Sequence, residues 1–299
     1  MSDMTGKQLL LSAIALLIAP TAWSAGPALP EGPGLSAKYP QDAGIARDPK
    51  VVFAENFEAG HLRQWDDTDG NKPPKVALVR TRPFVHAGKV AAQLAVPAGK
   101  GVGADLTKWF SPGHEQLFAR WYCRFAKDYD QGNLHHAGGN LVGMKNHWLL
   151  GVADRKPDGT DRFSTGLETW RDWKRNAPPG ELFLYTYYPD MKRDPDGHYW
   201  GNSFKPEKKT LLQRGRWHCL EMMVKMNDVG RANGEQAFWL DGRLVGHFRG
   251  IRWRTVASLR INGFWLLLYI HDSPQPNHLW LDDVVMAKEY IGPRRAQAE

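Results

Sequence analysis

Residues 166–173 are dense in polar and aromatic side chains, and two of them are acidic. In a regular strand, Glu168 and Asp172 lie on one face, because side chains alternate between the two faces. Two carboxyl groups that flank one bond are what a glycoside hydrolase requires. Glu168 together with Glu221 could supply such a pair. Hydrolysis centred on Glu168 is therefore one hypothesis that the sequence offers.

Groups suited to proton transfer lie close to this segment. His135 and His136 are adjacent, and imidazole titrates near neutral pH. Tyr185 and Tyr187 are two residues apart, which is one strand repeat. The sequence has no Gly-x-Ser-x-Gly, no His-Glu-x-x-His and no phosphate-binding loop. These absences exclude the familiar serine-nucleophile, zinc-peptidase and nucleotide-phosphate sites.

Carboxylates near the two ends of the folded region could hold a metal ion. Glu55 lies in the first predicted strand, and Asp282 and Asp283 lie in the last. Oxygen ligands suit calcium, so Glu55 and Asp283 are candidates for a structural calcium site where these strands meet. The alternative is a set of strand-end carboxylates without a metal. No other cofactor is expected.

The two cysteines lie in predicted strands. Cys123 and Cys219 could form a disulfide if their strands are neighbours, since an exported protein meets an oxidising environment. Buried free thiols are the alternative. Zinc is not expected, because no Cys or His stands at ligand spacing beside either cysteine.

Short runs of alternating apolar residues recur from residue 51 onward, separated by turn residues. The turn Asp241-Gly242 predicts a two-residue hairpin. No long helical period and no internal repeat is present. This pattern predicts an all-β, two-sheet antiparallel sandwich of the jelly-roll type. The predicted strands are residues 51–57, 91–96, 117–125, 163–173, 182–188, 217–226, 236–240, 243–248, 264–271 and 278–287.

Strand alternation also predicts which side chains face the core. Leu220, Met222 and Val224 form one apolar face, while Arg120 and Tyr122 belong to a polar face on another strand. A sheet with one apolar face and one face of charged and aromatic residues is how a carbohydrate groove is built. An ordinary solvated face is the alternative. Residues expected to contact substrate are Arg120, Tyr122, Glu168, Trp170 and Lys225.

A series of segments then appears in a recognisable order. They are residues 125–130, 138–143, 163–165, 170–171, 180–185, 215–218, 227, 233–234 and 240–242. In order and spacing they are similar to the strands, the Gly-Gly-Lys-Leu-Pro-Gly loop and the hairpin of concanavalin A-like jelly-roll polysaccharide lyases. That group includes glucuronan lyases and one class of alginate lyases. The resemblance covers roughly residues 51–292 and implies a concanavalin A-like fold and uronate cleavage.

The chain departs from this family pattern at four places, one of which is Leu268-Tyr269-Ile270-His271 in place of the Phe-Phe-Gly-Gly signature before the last strand. The lysine of the family loop aligns with Asn140, and the arginine of Ser-Thr-Arg has no clear equal, since Gly166 or Leu167 falls there. The first tyrosine of the Tyr-x-Tyr pair aligns with Phe183. These departures favour the alternative of a non-catalytic, carbohydrate-binding jelly roll that kept its groove.

The chemistry that the resemblance implies is β-elimination. The uronate carboxylate must be neutralised, a base must take the ring proton, and an acid must protonate the leaving oxygen. Candidates for these three roles are Asn140 or Arg171, His135 or His136, and Tyr185 or Tyr187. Arg171, Tyr185 and Tyr187 are expected to line one concave face with Arg120 or Tyr122. Alternatively, Arg171 forms a structural ion pair with Asp172 or Glu168.

The ends of the chain and its charge indicate where it acts. Residues 1–25 have the layout of a signal peptide, with Lys7, an apolar run too short to span a bilayer, and small residues before a cleavage site. Residues 26–50 are predicted to be a Pro/Gly/Ala-rich linker, and 293–299 a tail. The formal net charge of +7 favours a polyanionic partner.

The sequence thus predicts a secreted or periplasmic monomer that binds an acidic polysaccharide. Neither nucleic acid nor membrane insertion after signal cleavage is expected. β-Elimination is the first functional hypothesis, a binding module the second, and hydrolysis through Glu168 the third.

Overall fold

The computed structural model describes residues 28–68 and 75–295, so the predicted signal peptide lies outside the described residues. Short 3₁₀ turns occur at Leu35–Lys38, Pro40–Asp42, Ile45–Arg47 and His147–Leu149. All other regular elements are strands: β1 (Val51–Glu55), β2 (Asp67–Thr68), β3 (Val76–Val79), β4 (Ala91–Val96), β5 (Gly99–His114), β6 (Gln116–Phe125), β7 (His135–Met144), β8 (Arg162–Trp170), β9 (Glu181–Tyr187), β10 (Asn202–Phe204), β11 (His218–Lys225), β12 (Gly234–Leu240), β13 (Arg243–Ile251), β14 (Ile261–Ser273) and β15 (Asn277–Ala287).

The strands form two antiparallel sheets. The first has the order β13-β12-β11-β6-β15-β4-β3, with β1 paired to β15, and the second has the order β10-β9-β8-β7-β14-β5-β2. The turn at Asp241 and Gly242 joins β12 to β13, and both residues have positive φ (50° and 81°), as a tight hairpin turn requires. The predicted two-sheet sandwich is confirmed.

The core lies between the sheets and is built from alternate residues of each strand. Leu220, Met222 and Val224 of β11 are buried there, as predicted, and meet Phe264 and Leu266 of β14 from the other sheet within one apolar cluster. Burial of such faces is the main favourable contribution to folding. Within the described residues, no helix is long and apolar enough to cross a membrane.

Two chain segments cover the outer face of the first sheet. Arg120 is fully buried there and forms an ion pair with Asp42 of the N-terminal arm. The backbone N–H of Arg294 donates to the Tyr122 hydroxyl at 2.9 Å. The expectation that Arg120 and Tyr122 line a carbohydrate groove is therefore corrected. Alternation shows which residues share a face, but it does not show what covers that face.

The N-terminal arm is not a loose linker where the structure describes it. Leu35 and Ile45 are buried in a second apolar cluster on this outer face. Glu221 is buried beneath the C-terminal segment and accepts hydrogen bonds from the backbone N–H of Ile291 and Gly292, at 2.8 and 2.9 Å. Glu221 is thus a structural acceptor on the sheet opposite Glu168. The proposed carboxyl pair of Glu168 and Glu221 does not form.

Two further expectations concern β6 and β11. These strands are neighbours, but Cys123 belongs to the core face and Cys219 pairs with Tyr122 on the opposite face. Both thiols are free and buried.

Lys225 was expected to contact substrate. It forms an ion pair with Glu235 at 2.9 Å on the first sheet, so it does not reach a groove on the second sheet.

Candidate active site

A groove enclosing about 430 Å³ lies on the outward face of the second sheet. Its floor consists of alternate residues from β5, β7, β8, β9 and β14, whose partners in sequence point into the core. Five of the residues proposed from the sequence line this groove together: His136, Asn140, Glu168, Tyr185 and Tyr187.

Gly166 lies between these side chains. It pairs with Asn140 on one neighbouring strand and with Tyr185 on the other. A Cβ atom at this position would lie 2.2 Å from Asn140 Oδ1 and 2.6 Å from Glu168 Oε1. The missing side chain leaves room for these two groups, and the rings of His136 and Tyr185 approach each other nearby, with centroids 5.1 Å apart. Where the family pattern has an arginine, this chain has space that Asn140 and Glu168 occupy.

The substitution Gly166→Ala tests whether this close packing of Asn140 and Glu168 matters for activity. The added methyl group must displace Asn140 and Glu168, and a misplacement of about 1 Å at a reacting centre costs about 10²-fold in rate. We expect a loss of that size in polyuronate cleavage, with the far-UV circular dichroism of the sandwich unchanged. A variant that keeps the wild-type rate would contradict a role for the positions of Asn140 and Glu168 in the reaction.

His136 and Glu168 form a hydrogen-bonded pair in the groove. His136 Nδ1 lies 2.8 Å from Glu168 Oε2, and the His136 side chain is 40% exposed while that of Glu168 is 3% exposed. Burial opposes protonation of the imidazole, but the charge of Glu168 and its hydrogen bond outweigh it, so the pKa of His136 is raised. Because Nδ1–H donates to the carboxylate, Nε2 is left to exchange a proton with a ligand.

Tyr185 and Tyr187 stand beside this pair, with ring centroids 5.7 Å apart. Burial raises the pKa of both phenols, so both are protonated at neutral pH. The Tyr185 hydroxyl donates to Tyr187, and the backbone N–H groups of Asp154 and Gly201 also act on the Tyr187 oxygen. The Arg162 guanidinium lies 5.1 Å from the centre of the Tyr187 ring. The Tyr187 oxygen is therefore the one better prepared to carry negative charge.

Asn140 supplies a neutral amide at the position of the family lysine. Its side chain is buried, and Nδ2 has no hydrogen-bond partner among the described residues. A buried donor without a partner costs free energy unless a ligand satisfies it. Asn140 Nδ2 is thus suited to donate to a carboxylate oxygen bound in the groove.

His135 does not belong to the groove, although it was a candidate base. It points into the core, where its Nε2–H donates to the Thr169 carbonyl and its Nδ1 accepts from the Tyr129 hydroxyl at 2.8 Å. Burial lowers the pKa of His135 to about 3. Adjacent residues of a strand point to opposite faces, so only one of the two histidines could face a ligand.

Arg171 also lies away from the groove, and its partner differs from both expected ones. Its guanidinium binds Asp130 at 2.8 Å and the backbone carbonyls of Gly132 and Asn176. It therefore ties the loop before β7 to the turn after β8.

Trp170 is the last residue of β8. Its side chain lies on the same outward face as that of Glu168, two residues earlier, and contacts the ring of Phe183.

Replacing Arg171 with alanine is expected to lower the free energy of unfolding by about 1–3 kcal/mol, because three acceptors lose their donor. Denaturant unfolding measures this loss. The matched control Arg175→Ala, at a residue whose side chain is 73% exposed, should change the value by no more than about 0.5 kcal/mol. If Arg171 neutralised the substrate, its removal would instead abolish cleavage of short oligosaccharides without affecting unfolding.

The carboxylates suggested as metal ligands come from paired strands. Strand β1 pairs with β15, and Glu55 and Asp283 line a common cavity. Glu55 Oε2 is buried without a hydrogen-bond partner among the described residues. Burial, and then the charge of Asp283, raises the pKa of Asp282 to about 8. A bound cation would relieve both features, so we propose that Glu55 and Asp283 hold a structural calcium ion.

Calcium should therefore raise the unfolding temperature. At a Ca²⁺ concentration about 100 times its Kd, binding to the folded state adds about 2.7 kcal/mol, which corresponds to several degrees for a chain of this size. Differential scanning calorimetry with Ca²⁺ and with chelator measures the shift. The shift should disappear in Glu55→Gln. An equal response of wild type and variant would contradict the site.

Several groove residues were not singled out from the sequence. Arg162 and Ser164 precede Gly166 and Glu168 on the same face of β8, and Asp105 and Tyr269 come from β5 and β14. Counting back from Glu168 in steps of two would have found the first pair. The second pair depends on which strands are neighbours, which alternation alone does not specify.

Comparison with known structures agrees with this architecture. An alginate lyase of family PL-14 from Aplysia kurodai is 15% identical with a TM-score of 0.61, over 80% of this chain and 99% of that one. An alginate lyase from Chlorella virus is 17% identical with a TM-score of 0.61, over 80% and 100%. An endo-β-1,4-glucuronan lyase from Trichoderma reesei is 15% identical with a TM-score of 0.55, over 82% and 100%. These likenesses show the fold.

Sequence comparison shows the family. No curated protein matches the chain. The family model for polysaccharide lyase 14 matches residues 111–269, which is more than half of the chain and includes the strands that carry His136, Glu168 and Tyr187. The chain therefore belongs to the polysaccharide lyase 14 family.

Proposed function

We propose that the protein cleaves an acidic, uronate-containing polysaccharide by β-elimination. One observation carries this proposal: the His136–Glu168 pair and the Tyr185–Tyr187 pair lie side by side in the groove, with the rings of His136 and Tyr185 5.1 Å apart. A candidate base and a candidate acid at adjacent positions support a reaction that needs both. Relatives of the same fold act on alginate and glucuronan, which supports a uronate as substrate.

The proposed reaction uses three groups of this chain. Asn140 Nδ2 donates to the uronate carboxylate, which makes the neighbouring ring C–H more acidic. His136 Nε2 takes that proton, while Glu168 holds the ring in place and stabilises the imidazolium. The electron pair forms a C=C bond as the bond to the leaving glycosidic oxygen breaks.

Tyr187 then gives its hydroxyl proton to the leaving oxygen. The phenolate that results is stabilised by the Tyr185 hydroxyl, by the backbone N–H groups of Asp154 and Gly201, and by the nearby Arg162 cation. A proton passing from His136 back to Tyr187 restores the starting state. No water is consumed, so the new chain end is an unsaturated uronate.

Hydrolysis is supported less well, because the two carboxylates that line the groove come from strands that are not neighbours. Asp105 and Glu168 line the groove from β5 and β8, with β14 and β7 between them. Three strand spacings of about 4.8 Å separate their backbones by about 14 Å. Glycosidases hold their two carboxyl groups about 5–9.5 Å apart. The two side chains would have to span much of that backbone separation to act on one bond, which supports elimination over hydrolysis.

A carbohydrate-binding module without activity is the second candidate. The neutral amide of Asn140 favours it, since the family pattern has a lysine there. An amide stabilises the developing charge on the carboxylate less than a cation does. We further propose that the protein is exported, from the signal-like sequence of residues 1–25.

Ultraviolet absorbance tests the proposed function, because each cut leaves an unsaturated uronate that absorbs in the near ultraviolet. The purified mature protein is incubated with glucuronan, alginate and other polyuronates. We expect absorbance to grow with at least one of them, to be lost in Tyr187→Phe, and to persist in the control Tyr39→Phe, whose hydroxyl binds Asp48 on the N-terminal arm. Salt-sensitive binding without absorbance would favour the binding module.

A further inference from the structure

A continuous series of aromatic rings leads out of the groove. The centroids of successive rings are 5.7, 6.2, 6.1 and 6.2 Å apart. In order, the rings are Tyr187, Tyr185, Phe183, Trp170 and Trp173. The series follows β9, crosses to the end of β8 and finishes in the turn after it. It therefore links the proposed reaction site to a surface outside the cavity.

The last ring is presented to solvent by an unusual turn. Trp173 is 58% exposed, whereas Phe183 in the middle of the series is 5% exposed. Asp172, Trp173 and Lys174 all have left-handed backbone conformations, with φ of 48°, 54° and 69°. Non-glycine residues adopt this conformation at a cost of about 1–2 kcal/mol each, and such strain is concentrated where a protein binds ligands. An exposed indole on a strained turn indicates a binding surface.

Arg171 gives this turn a fixed position. Its guanidinium donates to the Asn176 carbonyl at 3.1 Å and to Asp130 at 2.8 Å. Within the turn, the Asn176 N–H donates to the Arg171 carbonyl at 2.9 Å. The turn is thus tied to the loop before β7, and Trp173 is held rather than left on a mobile loop. Binding of a ligand to Trp173 then costs less conformational entropy, because the side chain and its turn are already ordered.

Positively charged side chains lie near the two tryptophans. Lys205 Nζ lies 4.6 Å from the centre of the Trp170 ring and also forms an ion pair with Glu181. Lys174 and Arg175 are exposed in the turn beside Trp173. Indole rings stack on the apolar faces of sugars, and neighbouring ammonium and guanidinium groups attract carboxylates. The pair Trp170–Trp173 therefore offers both features that an acidic sugar requires.

We propose that Trp170 and Trp173 form an outer subsite for an acidic polysaccharide chain that extends out of the groove. This proposal rests on the substrate class of the proposed function. It adds a site that makes the affinity depend on the length of the substrate chain. A long chain occupies the groove and the outer subsite together, while a short oligosaccharide occupies the groove alone. The binding of long chains then depends on Trp173, and the chemical step does not.

Binding measured in a variant that cannot turn over tests the outer subsite. We use His136→Gln as the background, a series of oligouronates of increasing length, and isothermal titration calorimetry. Adding Trp173→Ala should weaken binding of the long members about tenfold, which corresponds to about 1.4 kcal/mol, and leave the shortest members unchanged. Trp173→Phe should retain most of the affinity because it keeps a ring. Trp217 lies just before β11 of the first sheet, where its Nε1–H donates to the Pro83 carbonyl, and Trp217→Phe is the control for loss of an indole.

The same Kd for long chains with and without Trp173 would overturn the outer subsite, even if absorbance assays show that the enzyme is a lyase. A weakening confined to long chains would support it, even if no polyuronate is cleaved. If neither protein binds any polyuronate, both the outer subsite and the proposed substrate class are wrong. A similar loss in Trp217→Phe would also count against the subsite.

Discussion

The variant His136→Gln is expected to lower the rate of β-elimination by about 10²–10⁴-fold, the range for loss of one proton-transfer group. Glutamine can still donate to Glu168, but its amide cannot take a ring proton. The KM for a short oligouronate should change little, because His136 acts on the reacting C–H bond. Initial rates from ultraviolet absorbance give both constants.

The chain offers a close control for this variant. His247 pairs with Glu235 at 2.6 Å on the first sheet, so the same pair of side chains occurs away from the groove. His247→Gln should leave the rate within about twofold of wild type, since this pair lies on the other sheet and does not line the groove. Equal losses in the two variants would mean that histidine replacement disturbs the fold. An active His136→Gln enzyme would contradict the role of His136 as base.

The variant Glu168→Gln is expected to move the acidic limb of the pH–rate profile to lower pH. A base must be neutral to act, so the rate rises as pH increases through the pKa of His136. Burial alone would lower that pKa, and the carboxylate of Glu168 is what raises it. Without the negative charge, the pKa falls and His136 is neutral at lower pH. The maximal rate should also fall, because the imidazolium loses its stabilising partner.

Profiles of kcat/KM against pH measure this shift in the free enzyme. Glu235→Gln, which removes the carboxylate from the His247 pair, should leave the limb in place. A limb that moves to higher pH in Glu168→Gln, or does not move, would show that Glu168 does not set the protonation of the base. If the acidic limb were absent in wild type, His136 would not be the group that must lose its proton.

Much of the fold could be predicted from the sequence, because it follows from local rules. Leu220, Met222 and Val224 alternate with polar residues, so the core face of β11 was fixed by the period of a strand. Asp241-Gly242 specified the hairpin through its positive φ angles. Neither inference depends on which strands are neighbours in the sheet.

The site could be predicted only in part, because it depends on long-range neighbours. His135 and His136 have the same chemistry, and the sheet register decides that His136 faces the groove. Arg120 and Tyr122 form the polar face that alternation predicts, but residues 28–50 and 288–295 cover it. Gly166 carries no side chain, so its importance appears only when Asn140 and Glu168 are seen to fill its surroundings.

Mass spectrometry of the products tests the central claim most directly. The protein is incubated with a polyuronate in water enriched in ¹⁸O, and the released oligosaccharides are weighed. β-Elimination predicts new chain ends that are one water lighter than hydrolysis products and that carry no ¹⁸O from the cleavage step. Saturated products labelled with ¹⁸O would show hydrolysis, and an intact polymer with every polyuronate would show that the protein cleaves none of them. Either result would contradict the assignment of His136 and Tyr187 as the base and acid of an elimination.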